Sequence, residues 1–136
     1  MDPAAIETRL RDFLTARAEE EGIAAAYLFG SVARGTARPE SDVDVGILYS
    51  EDPPQTLKGM GFRLEGDMEE LLGLPVQLVV LNRAPVDLIF RVLRDGKLLV
   101  EGDRSKRVRF EVKSRFDYWD VEPYLRMYWK LGEASR

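Results

Sequence analysis

The stretch that decides the fold is Gly30-Ser31-Val32-Ala33-Arg34-Gly35-Thr36-Ala37-Arg38-Pro39-Glu40-Ser41-Asp42-Val43-Asp44. Ahead of it runs Ile23 to Phe29, apolar throughout and short for a helix, which reads as a buried strand. Behind it, Val43 to Tyr49 reads as a second strand. Glycine at position 30 lets the backbone approach a ligand closely. If Ser31 opens a short helix, its free N–H groups face an anion such as a phosphate. Arg34 and Arg38 add positive charge nearby. At the other end, strand alternation puts Asp42 and Asp44 on one face while Val43 and Val45 point to the core. Two adjacent carboxylates repel unless a cation joins them, and a pair of Mg²⁺ ions about 3.5–4 Å apart would use that geometry. Gly46 after Val45 excludes an EF-hand loop, which needs a ligand there. A Gly-Ser turn alone is usually a turn, and a lone Asp-x-Asp is more often a solvated cap. The combination is far more specific: strand, Gly-Ser, nine residues, Ser-Asp-x-Asp, strand.

Composition narrows the chemistry. The chain has 136 residues, which suits one domain with one core. It contains no cysteine and no histidine. That excludes disulfides, thiolate nucleophiles, Cys- or His-ligated metals, and any triad with an imidazole base. Chemistry is left to carboxylates, hydroxyls, Lys, Arg and backbone groups, with Mg²⁺ as the natural metal. Asp2, Glu7 and Arg9 interrupt the N-terminus, and no apolar run approaches a membrane span. The expected location is the cytoplasm, with no membrane contact.

Working outward, Ile6, Leu10, Phe13 and Leu14 form one stripe of a first helix, capped by Asp2, opened by Pro3 and stopped by Gly22. Leu57 to Leu72 is expected to be helical, weakened by Gly59, Gly61 and Gly66. Val76 to Leu81 reads as a third strand. Pro85 to Asp95 reads as a helix with Leu88, Ile89, Val92 and Leu93 inward, and Lys97 to Val100 as a short fourth strand. Ser105 to Asp117 and Pro123 to Leu131 are expected to be two further helices. Strands and helices interleave, so the class is mixed α/β (α+β), about four strands with packed helices. No linker divides the chain. Residues 1–136 are expected to form a single domain with a helical extension at about 104–136.

The signature Gly30-Ser31, nine residues, Ser41-Asp42-Val43-Asp44 resembles that of the nucleotidyltransferase superfamily that includes DNA polymerase β. The small size is similar to the minimal nucleotidyltransferases, often the antitoxin partners of HEPN-fold toxins. Val76 to Leu81, Asn82-Arg83-Ala84-Pro85 and Arg94-Asp95-Gly96 look like that family's later strand, loops and helix end. The resemblance implies the nucleotidyltransferase fold and Mg²⁺-dependent transfer of an adenylyl group from ATP to a hydroxyl. In the toxin–antitoxin setting that hydroxyl would be a tyrosine of a partner HEPN toxin, silenced by AMPylation. Carried over by position, Asp42 and Asp44 would be the catalytic, metal-binding pair. Gly30 and Ser31 would hold the triphosphate with Arg34 beside them, and Ser41 would orient the loop.

One position departs from that pattern. The family usually carries a third carboxylate on the strand assigned to 76–81, where this chain has Gln77. A neutral amide is a weaker ligand for a hard cation. Its presence should spare nucleotide binding more than transfer. Glu51, Asp52 or Asp67 are candidate substitutes. The alternative is a catalytically impaired member that neutralises its partner by binding alone. A small-molecule adenylyltransferase would need a substrate domain for which there is little room.

Seven of the 13 aromatic residues fall within 110–129. Phe110 and Phe116 are expected to pack on the sheet, and some of Tyr118 to Trp129 to meet a partner. Residues 91–115 hold nine basic and four acidic side chains in an otherwise acidic protein. With little aromatic interleaving, that stripe reads as a solvated face rather than a nucleic-acid surface. A second copy of the chain is a further candidate partner.

Overall fold

The computed structural model describes residues 2–57 and 59–134. Met1, Lys58, Ser135 and Arg136, which the expected single domain includes, lie outside the described residues. The elements run α1 (Pro3–Glu21), β1 (Ile23–Phe29), α2 (Gly30–Arg34), β2 (Val43–Tyr49), α3 (Phe62–Leu72), β3 (Val76–Val80), a short 3₁₀ turn (Leu81–Arg83), α4 (Val86–Asp95), β4 (Lys97–Glu101) and α5 (Arg104–Ala134). The four strands form one mixed sheet in the order β3-β2-β1-β4. Strand β1 is antiparallel to both β2 and β4, and β2 is parallel to β3.

Both faces of the sheet are covered, so its central strands are apolar on both sides. On one face, Val43, Val45 and Ile47 of β2 pack with Ile6, Leu10 and Leu14 of α1 and Leu64, Met68 and Leu72 of α3. On the other, Tyr27, Phe29 and Leu48 pack with Ile89 and Val92 of α4, and Phe110 of α5 lies against them. Each fully buried Leu or Ile contributes about 1.5–3 kcal/mol. Asp2 accepts the Ala5 N–H at 2.9 Å and Gly22 ends α1 in the left-handed region. Such a cap contributes about 1 kcal/mol.

Three expectations are corrected. The helix expected from Leu57 starts only at Phe62, because residues 55–57 and 59–61 turn instead. A Cβ on Gly59 would lie 1.9 Å from the Pro54 carbonyl oxygen, so the chain folds back tightly there. Strand β3 stops at Val80, and Leu81 turns its side chain into the core beside Leu48. The two C-terminal helices are one, with Pro123 inside it. The Glu122–Arg126 ion pair, with Nε donating at 2.8 Å, spans the proline, whose missing N–H leaves the Trp119 carbonyl one turn earlier without its helical donor. Phe110 packs on the core as expected, whereas Phe116 is exposed.

Helix α5 is held by its first half. Tyr27 donates to Glu111 at 2.8 Å, and Arg107 joins Glu101 and Glu111. Burial, then the hydrogen bond and charge of Glu111, push the Tyr27 hydroxyl well above its usual range, so it stays a donor. Four of the nine basic side chains of the stripe are in ion pairs: Arg94 with Asp95, Lys97 with Glu7, Arg107 as above and Lys113 with Asp117. Among the described residues no helix is long and apolar enough to cross a membrane.

Candidate active site

Register brings Phe29, Asp44 and Gln77 into one row across β1, β2 and β3. They line a cleft of about 370 Å³ together with Gly30, Ser31 and Arg34 of α2 and Leu88, Arg91 and Asp95 of α4. The row lies at the end of the sheet where β1 hands over to α2 and β2 begins. Here Asp44 points away from the Val43 and Val45 side of the sheet, toward α4.

Gly30 fixes how close this row comes to the backbone. Its φ is +74°, and a Cβ there would sit 2.1 Å from an Asp44 carboxylate oxygen. Any side chain would be strained and would also displace the carboxylate. The Asp44 carboxyl is held above the usual carboxylate range, first by burial and then by the charge of Asp42. Arg34 offsets part of that effect. Asp42 itself is exposed and precedes β2. The two carboxylates are thus electrostatic neighbours, Asp44 recessed in the cleft and Asp42 exposed and outside its lining.

The loop between them is ordered by its own groups. The Arg38 N–H donates to the Ser41 hydroxyl oxygen at 2.9 Å, and the Ser41 N–H donates to the Arg38 carbonyl at 2.9 Å. Thr36 N–H closes the end of α2 on the Ser31 carbonyl at 2.9 Å. Arg38 and Ser41 face a separate hollow beside Pro3, Ile6 and Leu74, so neither lines the cleft.

The candidate substitutes for a third carboxylate are elsewhere. Asp67 of α3 pairs with Arg17 of α1 at 2.8 Å. Glu51 and Asp52 border a different cavity past Tyr49, at the opposite end of β2. Gln77 therefore stands alone opposite Asp44 on β3, exposed to the cleft.

The α4 wall was not legible as part of a site. Leu88, Arg91 and Asp95 recur at i, i+3 and i+7, one stripe of a helix whose Ile89 and Val92 are buried. In sequence Leu88 reads as core, Arg91 as part of the basic stripe and Asp95 as part of a helix end like that of the resembled family. Asp95 is held by Arg94, which donates from Nε at 3.0 Å and Nη2 at 2.8 Å. That bidentate bond holds the Asp95 carboxyl below the usual range.

Mg²⁺ takes one or two carboxylates and fills its octahedron with waters and substrate phosphate oxygens. Asp42 and Asp44 offer two such ligands. Among the described residues no group of three or more acidic side chains is placed to hold an ion without help. The donor set fits a metal that arrives with a nucleotide's phosphates.

Comparison with known proteins gives the following. The family described as polymerase beta, nucleotidyltransferase matches residues 14–105. The protein adenylyltransferase MntA of Thermococcus cleftensis is 38% identical over 77 residues, covering 57% of this chain and 75% of that protein. A toxin–antitoxin crystal structure with AMP-PNP is similar over 96% of this chain and 98% of its own, with a TM-score of 0.74 and 22% identity. A structure of the tri-AMPylated Shewanella oneidensis HEPN toxin with its MNT antitoxin covers 98% of this chain and 99% of its own, with a TM-score of 0.70 and 19% identity. At these identities the two structures establish the fold, a four-stranded mixed sheet with helices on both faces.

Proposed function

The chain belongs to the polymerase β-type nucleotidyltransferase family, and from that premise we propose that it transfers an adenylyl group from ATP to a tyrosine hydroxyl of a HEPN-type toxin. The adenylyltransferase relative and the AMPylated toxin complex support the substrate and acceptor classes. Residues 1–136 would act as one catalytic unit, with α5 as its extension. The observation that carries the proposal is the recessed Asp44 carboxylate against the Gly30 backbone, with Asp42 beside it and Ser31 and Arg34 in reach.

In the reaction the acceptor oxygen attacks the α-phosphorus of ATP. The bond from that phosphorus to the bridging oxygen breaks, pyrophosphate leaves, and the hydroxyl proton is lost. Asp42 and Asp44 would hold Mg²⁺, which when bound supplies charge neutralisation on the phosphates and lowers the acceptor's pKa. The Ser31 end of α2 and the Arg34 guanidinium would orient the triphosphate. Ser41 would keep the loop set so that both carboxylates meet the same phosphates. The α4 stripe forms the far wall of the cleft.

The test is incubation with labelled ATP, Mg²⁺ and the HEPN-type protein. Label should appear on a toxin tyrosine, and should be absent with the Asp42→Asn, Asp44→Asn variant. A second reading rests on Gln77: the chain binds nucleotide and neutralises its partner by occlusion alone. It requires that wild type leave the toxin unlabelled while that double variant still neutralises it.

A further inference from the structure

Ser114 is the last buried residue of α5 among the described ones, and past Tyr118 the helix leaves the body of the protein. Phe116, Trp119, Tyr124, Met127, Tyr128 and Trp129 are all more than half exposed. Phe116, Tyr124, Met127 and Tyr128 recur at i, i+8, i+11 and i+12, so they share one helix face. Two pairs of charges along this stretch meet within the helix, Lys113 with Asp117 and Arg126 with Glu122. The aromatic and apolar side chains share the surface with exposed Arg115, Asp120 and Lys130. A run of this size on an exposed helix marks an interaction site, and Trp and Tyr are the side chains that anchor interfaces.

The base of this segment is joined to the wall of the cleft by its opposite, body-facing side. Tyr118 stacks on Phe90 of α4 with ring centroids 3.7 Å apart. The Arg94 guanidinium lies 6.0 Å from the centre of the same Phe90 ring and holds Asp95, which lines the cleft. Whatever covers the outer half of α5 therefore abuts the opening in which transfer would occur. The family match ends at residue 105, just inside α5, so the helix is an addition to the catalytic fold. The folds that extend over it belong to chains crystallised in toxin–antitoxin complexes.

We propose that the outer half of α5 is the docking surface for the acceptor protein, and that it delivers the acceptor tyrosine to the cleft. This rests on a HEPN-type toxin being the acceptor. Both tryptophans of the chain, Trp119 and Trp129, lie on this segment. A chain grown with 5-fluorotryptophan therefore gives two ¹⁹F resonances that report on it alone. Without nucleotide, adding the purified HEPN-type toxin of the same organism should shift at least one of them. The triple variant Tyr124→Ser, Met127→Ser, Tyr128→Ser should bind that toxin at least about 30-fold more weakly, with ATP affinity unchanged, since these side chains are at the surface and away from the cleft. Equal toxin binding by wild type and variant overturns the proposal. So does a shift that depends on protein concentration without toxin and is lost in the variant, which would assign the face to a second copy. Absence of any shift with toxin overturns it as well. A transfer assay on wild type, run beside these, fails only if the catalytic reading fails.

Discussion

At its Asp44 end strand β2 borders a cleft of about 370 Å³, and at its Tyr49 end it borders a cavity of about 590 Å³. The larger cavity is lined by Glu20, Glu21, Glu51 and Asp52, and no basic side chain lines it among the described residues. The smaller one sets Asp44 against Arg34 and Arg91. Several acids at the Tyr49 end serve the fold. Glu21 pairs with Arg17, and Asp52 accepts from Asn82, whose side chain also holds both backbone groups of Tyr49. Burial, then the charge of Glu21, pushes the Tyr49 hydroxyl up to about 12. Volume alone therefore does not mark the end suited to phosphate chemistry. A phosphate-handling site needs recessed acid for a cation, base for the phosphates and backbone close at hand, and only the Asp44 end combines them.

The largest effect expected from that difference is on transfer. Asp42→Asn with Asp44→Asn should lower the rate of label transfer about a thousandfold or more, on the scale of the several kcal/mol a bound metal contributes. Glu51→Gln with Asp52→Asn, at the other end of the same strand, should change it less than about twofold. Comparable losses from both pairs would remove the distinction between the two ends.

The next effect is on stability. Gly30 and Gly22 both have left-handed backbone, with φ of 74° and 69°. Nothing lies within 4 Å of a Cβ added to Gly22, whereas one on Gly30 would strike Asp44. Gly22→Ala should cost about 1 kcal/mol from backbone strain alone, and Gly30→Ala about 2–3 kcal/mol, read as midpoint shifts in urea. Nucleotide binding should fall only in the second. Equal costs would mean that the tight approach at Gly30 relaxes freely.

Gln77→Asp should raise transfer about tenfold at saturating ATP, or about 1.4 kcal/mol in barrier, while changing ATP affinity less than about threefold. The row of Phe29, Asp44 and Gln77 aims that new carboxylate into the cleft beside Asp44. A change in ATP affinity with no change in rate would place position 77 in binding rather than in activation of the acceptor.

The Asp44 end was also the more legible one in the sequence. The apolar run 23–29 and the stretch 43–49 give strands β1 and β2 with those limits, because burial on both faces leaves Asp44 as the one charged side chain in either. Gly30, Ser31, Arg34 and Asp44 meet in one cleft, as their spacing led one to expect. Arg38 does not reach it, because the Arg38–Ser41 turn carries it outward. The α4 stripe escaped notice because Leu88, Arg91 and Asp95 alternate with core residues, and only the sheet's position tells which polar helix face is covered. Continuity of α5 escaped notice because Pro123 is a strong local breaker, while the Glu122–Arg126 pair that spans it is only a weak local signal.

The smallest effect separates the two ends without any reaction. The Asp44 carboxyl titrates above its ordinary value of 3.8, first because of burial and then because of the charge of Asp42. A raised carboxylate destabilises the folded state wherever it must be charged. From pH 3.8 up to its folded value the folded chain holds the extra proton, so stability falls as pH rises through that window. Above it the penalty is complete. Asp44→Asn removes the penalty and should therefore stabilise the protein at neutral pH in EDTA. The gain should stay below about 1 kcal/mol, because the half-exposed carboxylate is screened by solvent, and it should vanish below about pH 4. Adding Mg²⁺ with ATP should reverse the order, since a ligand bound only by the folded wild type stabilises it by mass action. A neutral-pH loss of stability in EDTA would show instead that Asp44 is held by favourable contacts. In that case the repulsion between the two carboxylates is not what readies this end of β2 for a cation.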